Sequence, residues 1–124
     1  MPDLIDQLKA LGEENRFRIM MMLRERPLCV CELGAVLDIA GATLSNHLKV
    51  LRYAGLVDSR RDGKWIEYYI RDEETTAMMA DLYERLDDRA QVDADRKQLG
   101  SITREICSVG SSLSRRSAAE ADTQ

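Results

Sequence analysis

Apolar residues recur at helical intervals along most of the chain and change rhythm only once. Leu4, Leu8 and Leu11, with Ile5 beside them, mark one face of a short amphipathic helix that Gly12 ends. A second helix is predicted over residues 14–26. Phe17, Met20 and Met21 line one side of it, Ile19 and Leu23 an adjacent one, and Pro27 marks the exit. At this spacing the methionines read as adaptable core filling rather than a thioether site. A third, short helix over 29–38 carries Leu33, Val36 and Leu37 inward, and Ile39-Ala40-Gly41 forms a turn. Residues 42–54 make a fourth helix, with Leu44, Leu48 and Leu51 at i, i+4 and i+7 before Gly55 closes it. Two short helices joined through a glycine-containing turn are a helix-turn-helix.

After Gly55 the pattern becomes that of strands. Leu56–Arg61 and Trp65–Ile70 are rich in β-branched and aromatic residues, and Asp62-Gly63-Lys64 between them carries the Asp-Gly pair favoured in hairpins. This ribbon is a wing. Residues 73–90 return to helix, with Met78, Met79, Leu82 and Leu86 on one face, and Asp93 to about Cys107 predicts one more. From Gly110 the chain is Ser, Ala, Arg, Glu and Asp without apolar period, as expected of a disordered tail. The expected architecture is mainly α with a small β-wing, a winged helix-turn-helix. Its parts are the winged helix-turn-helix domain over 1–90, a helical extension carrying Cys107 over 91–109, and the tail over 110–124.

A length of 124 residues suits one domain with a single core. The net charge of −4 argues against a generally basic nucleic-acid binder, but DNA responds to local charge. Residues 42–64 are locally basic, while acidic residues gather in 72–95 and at the C-terminus. Thr43, Ser45, Asn46, His47, Lys49 and Arg52 are assigned to the outward face of the fourth helix. Short polar side chains there suit base edges, and Lys49 and Arg52 suit phosphates. His47, the only histidine, is expected to touch DNA or phosphate rather than metal. Arg60, Arg61 and Lys64 add positive charge on the wing.

The remaining chemistry lies in Cys29-Val30-Cys31-Glu32-Leu33. The spacing reads as a capping box in which Cys29 replaces the usual Ser or Thr and Glu32 closes it. Thiols at a helix start are expected to lean toward thiolate and to form a soft-metal ligand pair. An i, i+2 pair cannot share one helical face, which weakens a purely apolar role for both. The acidic start of the chain shows no secretory signal and no apolar run is long enough to span a bilayer, so a reducing cytoplasm is expected. A thiol enzyme is not favoured: there is no Cys-x-x-Cys, no nearby base and no βαβ pattern.

These motifs together resemble the ArsR/SmtB-type family of winged-helix metalloregulators, in its arsenite-responsive branch. Cys29–Leu33 is similar to the metal-binding box, Leu44–Arg52 with Gly55-Leu56-Val57 to the recognition helix and its exit, and Asp62–Tyr69 to the wing. The likeness covers roughly residues 3–90 and implies a homodimer, built through the first helix and the helix after the wing, that represses double-stranded operator DNA until metal arrives. Two features depart from the family. A third box cysteine would fall on Gly34, and residues 73–90 hold no histidine for the zinc site of other members. Arsenite binds sulfur in a three-coordinate pyramid, so Cys29 and Cys31 need a third ligand, either Cys107 or a non-protein group. Antimonite, cadmium or lead are alternative inducers, and a thiol redox switch on the same fold is an alternative mechanism.

Overall fold

The computed structural model describes residues 3–104. The expectations for Cys107 and for the 110–124 tail lie outside the described residues. Within them the order is α1 (Leu4–Leu11), α2 (Glu14–Leu23), β1 (Leu28–Cys29), α3 (Val30–Leu37), α4 (Gly41–Tyr53), β2 (Val57–Asp62), β3 (Trp65–Ile70), α5 (Glu73–Arg85) and α6 (Ala90–Leu99).

Local chemistry sets most of these boundaries. Asp3 accepts the Asp6 N–H at 2.9 Å while the Asp6 carboxylate receives the Asp3 N–H, so α1 starts in a reciprocal capping box. Asp72 opens α5 through the Thr75 N–H at 2.8 Å. The helix-turn-helix is made by α3 and α4, and α3 stops at Asp38, whose φ of 53° is left-handed. Aspartate tolerates that region better than most residues. At the end of α4, Leu56 N–H reaches Leu51 O and Gly55 N–H reaches Arg52 O, with Gly55 at φ 78°. That pairing is a Schellman stop, for which glycine is suited.

The sheet order is β1-β3-β2, all antiparallel. Asp62 pairs with Trp65, so the wing turn holds two residues, and Gly63 supplies the positive φ of 64°. The two-residue strand β1 was not predicted, being too short to show alternation. It places Leu28 opposite Tyr68 and Cys29 opposite Glu67.

Three helical expectations change. The second helix ends at Leu23, and residues 24–26 form a turn before Pro27. The helix expected over 73–90 stops at Arg85 because Leu86 turns extended, with ψ 128°. The last helix begins at Ala90, not Asp93, and ends at Leu99 rather than near Cys107. The break lets α6 fold back on α2 and α3 and bury Val92, Asp95 and Leu99.

The centre of the molecule is α2. Ile19 to Leu23 are all buried, so its C-terminal half is apolar on every side, as a core helix must be. Around it pack Leu28, Leu33, Leu44, Leu48, Leu51, Leu56 and Met79. Arg18 projects from α2 into a two-pronged pair with buried Asp95, Nε to Oδ2 and NH2 to Oδ1, both at 2.9 Å. Removing one partner of such a pair strands the other charge. Asp95→Ala is therefore expected to lower unfolding free energy by about 3 kcal/mol in urea titration. The exposed Asp81→Ala should stay within about 0.5 kcal/mol of wild type.

Candidate thiol site and nucleic-acid interface

Cys29 has two structural roles: it ends β1 and caps α3. Pairing with Glu67 keeps its backbone extended, at φ −88° and ψ 166°. Cys31 lies in the first helical turn. The limit on i, i+2 residues sharing a face applies within a helix, and Cys29 stands outside it. The two sulfurs are consequently 3.0 Å apart, in hydrogen-bond contact. Sulfurs each about 2.3 Å from a shared soft ion lie at most about 4.6 Å apart, so the pair sits within chelating distance.

The expectation of ready thiolates is corrected for Cys29. Burial pushes its thiol up to about 12; the Cys31 contact adds to this and the Glu32 N–H only partly offsets it. The helix start does favour charge, but desolvation outweighs it. Cys29 is a neutral thiol at neutral pH.

Glu32 completes the cap. Its Oε1 accepts the Cys29 N–H at 2.9 Å and Arg104 Nε at 3.3 Å, and its Oε2 accepts Arg26 NH1 at 2.6 Å. Burial drives its carboxyl upward, but the Cys29 N–H and the Arg26 guanidinium prevail and hold it below the usual carboxylate range. Both oxygens are engaged by donors, and through the Cys29 N–H Glu32 fixes the start of α3. Among the described residues no third Cys, His, Asp or Glu joins the sulfur pair. The set fits a thiophilic ion that takes its remaining ligand elsewhere, and it does not fit a closed four-ligand zinc site.

The reading face divides differently from expectation. Thr43, Ser45, Asn46, Lys49 and Arg52 are exposed along α4. His47 is only 8% exposed and points inward, so its assignment to the DNA-facing surface is corrected. It sits three residues after Leu44 and four before Leu51, on the core side of the helix. Arg16 NH1 lies 3.3 Å from His47 Nδ1, and Glu13 Oε2 lies 3.8 Å from Nε2. Arginine carries only donors, so Nδ1 accepts and the ring proton faces Glu13. His47 thus anchors the recognition helix to the start of α2. Tyr53, 86% exposed, continues the Asn46–Lys49 stripe at helical spacing.

On the wing, Arg60, Arg61 and Lys64 are exposed. Arg60 is held in place: its Nε donates to buried Glu67 at 2.5 Å and its guanidinium lies over Tyr69. Lys64 stacks over Trp65, and Arg52 lies 3.6 Å from Asp58. Arg104 and then Arg60 hold the Glu67 carboxyl below its ordinary range.

A helix-turn-helix followed by a β-hairpin, with a helix on each side, defines a winged helix-turn-helix protein. Residues 13–59 match the family described as bacterial regulatory protein, arsR family. The chain is 34% identical to the arsenical resistance operon repressor of Bacillus subtilis, over 60% of this chain and 72% of that protein. It is 39% identical to the cadmium resistance transcriptional regulatory protein CadC of Listeria innocua, over 57% of this chain and 60% of that one. The homodimeric winged helix-turn-helix DNA-binding domain of Mb0332 from Mycobacterium bovis superimposes with a TM-score of 0.64 at 25% identity, over 71% of this chain and 82% of that one. The chain belongs to the arsR family of bacterial regulatory proteins. It spans about half to three fifths of the length of the first curated relatives it matches.

Because Cys31 is partly exposed while Cys29 is buried and protonated, alkylation should be ordered. Iodoacetamide at pH 7 followed by peptide mass spectrometry is expected to modify Cys31 at least roughly tenfold faster than Cys29.

Proposed function

We propose that the protein is a homodimeric transcriptional repressor that binds an operator and leaves it when a thiophilic ion, arsenite foremost, is captured by Cys29, Cys31 and Cys107. The observation that carries this reading is the 3.0 Å approach of two sulfurs at the start of the helix that supports the recognition helix. The names of the relatives, an arsenical resistance repressor and a cadmium resistance regulator, agree with it. Cys107 is three residues beyond Arg104, whose guanidinium reaches Glu32. That closeness in sequence to a residue bonded to the cap makes Cys107 the candidate third ligand.

The DNA contacts fall to Thr43, Ser45 and Asn46 for base edges and to Lys49, Arg52, Arg60, Arg61 and Lys64 for phosphates. A second copy covers α1, where Leu4, Ile5 and Leu8 are 59%, 56% and 48% exposed on one side of the helix. Homodimerisation of the Mycobacterium bovis domain is the parallel. Two recognition helices in successive major grooves require an imperfect inverted repeat. Drawing Cys29 and Cys31 around an ion moves the first turn of α3, and α3 packs directly on α4.

The test is anisotropy of labelled operator titrated with arsenite, antimonite, cadmium and lead, for wild type and each Cys→Ser variant. Wild type should lose about 10- to 100-fold in DNA affinity. Cys29→Ser and Cys31→Ser should bind DNA normally and ignore the ion; release by Cys31→Ser would overturn the proposal. The pH dependence identifies the ligand. Cadmium displaces thiol protons into solvent, so its binding tightens as pH rises, by up to about tenfold per unit for each proton lost. Arsenite arrives as As(OH)3, and each S–H returns its proton to a departing hydroxide as water, so its affinity should stay flat near neutrality. A redox reading is favoured only by the same sulfur contact; it requires metal-free peroxide to release DNA and thiols to restore it.

Leu8→Glu, which places a charge in the exposed α1 stripe, is expected to shift the dimer to monomer in light scattering and to weaken operator binding. A Leu8→Glu protein that remains dimeric would place the subunit contact elsewhere.

A further inference from the structure

We infer that Arg104 is a positioning residue that transmits the state of the thiol site to the wing. The inference rests on the ion-responsive reading above and names the route by which that site acts. One guanidinium joins three carboxylates: its Nε donates to Glu32 Oε1 at 3.3 Å, NH1 to Asp62 Oδ2 at 2.8 Å, and NH2 to Glu67 Oε2. Glu32 belongs to the thiol cap. Asp62 ends β2 beside the wing turn, and Glu67 lies in β3 between Cys29 on one side and Arg60 on the other.

Burial makes these contacts obligatory. Glu32 and Glu67 are both buried, and a buried carboxylate stays charged only against a paired cation. Arg26 secures the same region from below: its NH1 bonds Glu32, and its NH2 donates to the carbonyls of Leu99 and Ile102 at 3.3 and 3.2 Å. The segment leaving α6 is thereby strapped across the start of α3.

A guanidinium is a rigid planar fork. When the first turn of α3 shifts, carrying Glu32 with it, Arg104 cannot keep its alignment to Glu32 and to both wing carboxylates. Asp62 is exposed beside Arg61 and Lys64. While paired with Arg104 its charge is compensated; released, it meets the DNA backbone as a bare anion next to the two cations meant for phosphate. The wing then loses both its fixed geometry and part of its positive potential.

The full chain tests this in Arg104→Gln, Arg104→Lys and Glu67→Gln, with cadmium chloride and sodium arsenite as probes. Three quantities are read: ion affinity without DNA, the ratio of operator Kd with and without ion, and the emission of Trp65, the sole tryptophan and a wing residue. In wild type the ratio is expected to be at least about tenfold, falling to within roughly twofold of unity in Arg104→Gln and Glu67→Gln. Ion affinity should change little, and the Trp65 response to ion should vanish. Arg104→Lys, which keeps charge without the fork, should fall between. A full wild-type ratio in Arg104→Gln overturns the inference and leaves the proposed function standing, as does loss of ion binding itself, which would put Arg104 in the ion site. Wild type unmoved by either ion overturns both. Should Arg104→Gln fail to fold, Glu67→Gln cuts the same link from the wing side, and a retained ratio there overturns the inference equally.

Discussion

The buried carboxylate of Glu32 is the contact on which the rest of the site depends. It binds the backbone N–H that starts α3, the arginine that clasps the strap after α6, and the arginine that reaches the wing. Leaving such a group unpaired costs several kcal/mol, so its partners are held in narrow geometry. The cysteines inherit that geometry. Cys29 is held outside the helix by the sheet and by Glu32, and only from there can its sulfur meet that of Cys31.

A second polar anchor works at the other end of the reading unit. Glu13, Arg16 and His47 tie the recognition helix to the start of α2, the most buried helix of the core. Arg16 also donates to the Ala10 carbonyl at 2.7 Å, which ties α1 to the same point. The helix that would enter DNA is thus braced by apolar packing through Leu44, Leu48 and Leu51 and by one buried imidazole. The thiol pair lies at the start of its other neighbour, α3. The thiol pair and the fourth helix are adjacent in the fold because the supporting helix of the helix-turn-helix is also the helix that begins at the cysteines.

The corrections have separate physical causes. The periodic leucines showed which helices exist, and the position of His47 between Leu44 and Leu51 already placed it inward, although its residue type suggested a contact. The Cys29–Glu32 spacing was visible as a cap, but burial of Cys29 reversed the protonation expected from the helix start. The strand at Leu28–Cys29 left no signal, since two residues have no alternation to detect. The link from Glu32 through Arg104 to Asp62 and Glu67 had none either: its members lie far apart in the chain and share no spacing.

The order of the helices and of the two wing strands, the turn glycines, the Cys29–Glu32 cap and, His47 apart, the polar stripe on the fourth helix were determined by the sequence alone, because each depends on neighbours within a few positions. Tertiary structure decided which polar groups are buried, which charges meet, and how far apart the two sulfurs stand. Those depend on desolvation and on contacts between segments tens of residues apart, and such quantities exist only once the chain has closed on itself.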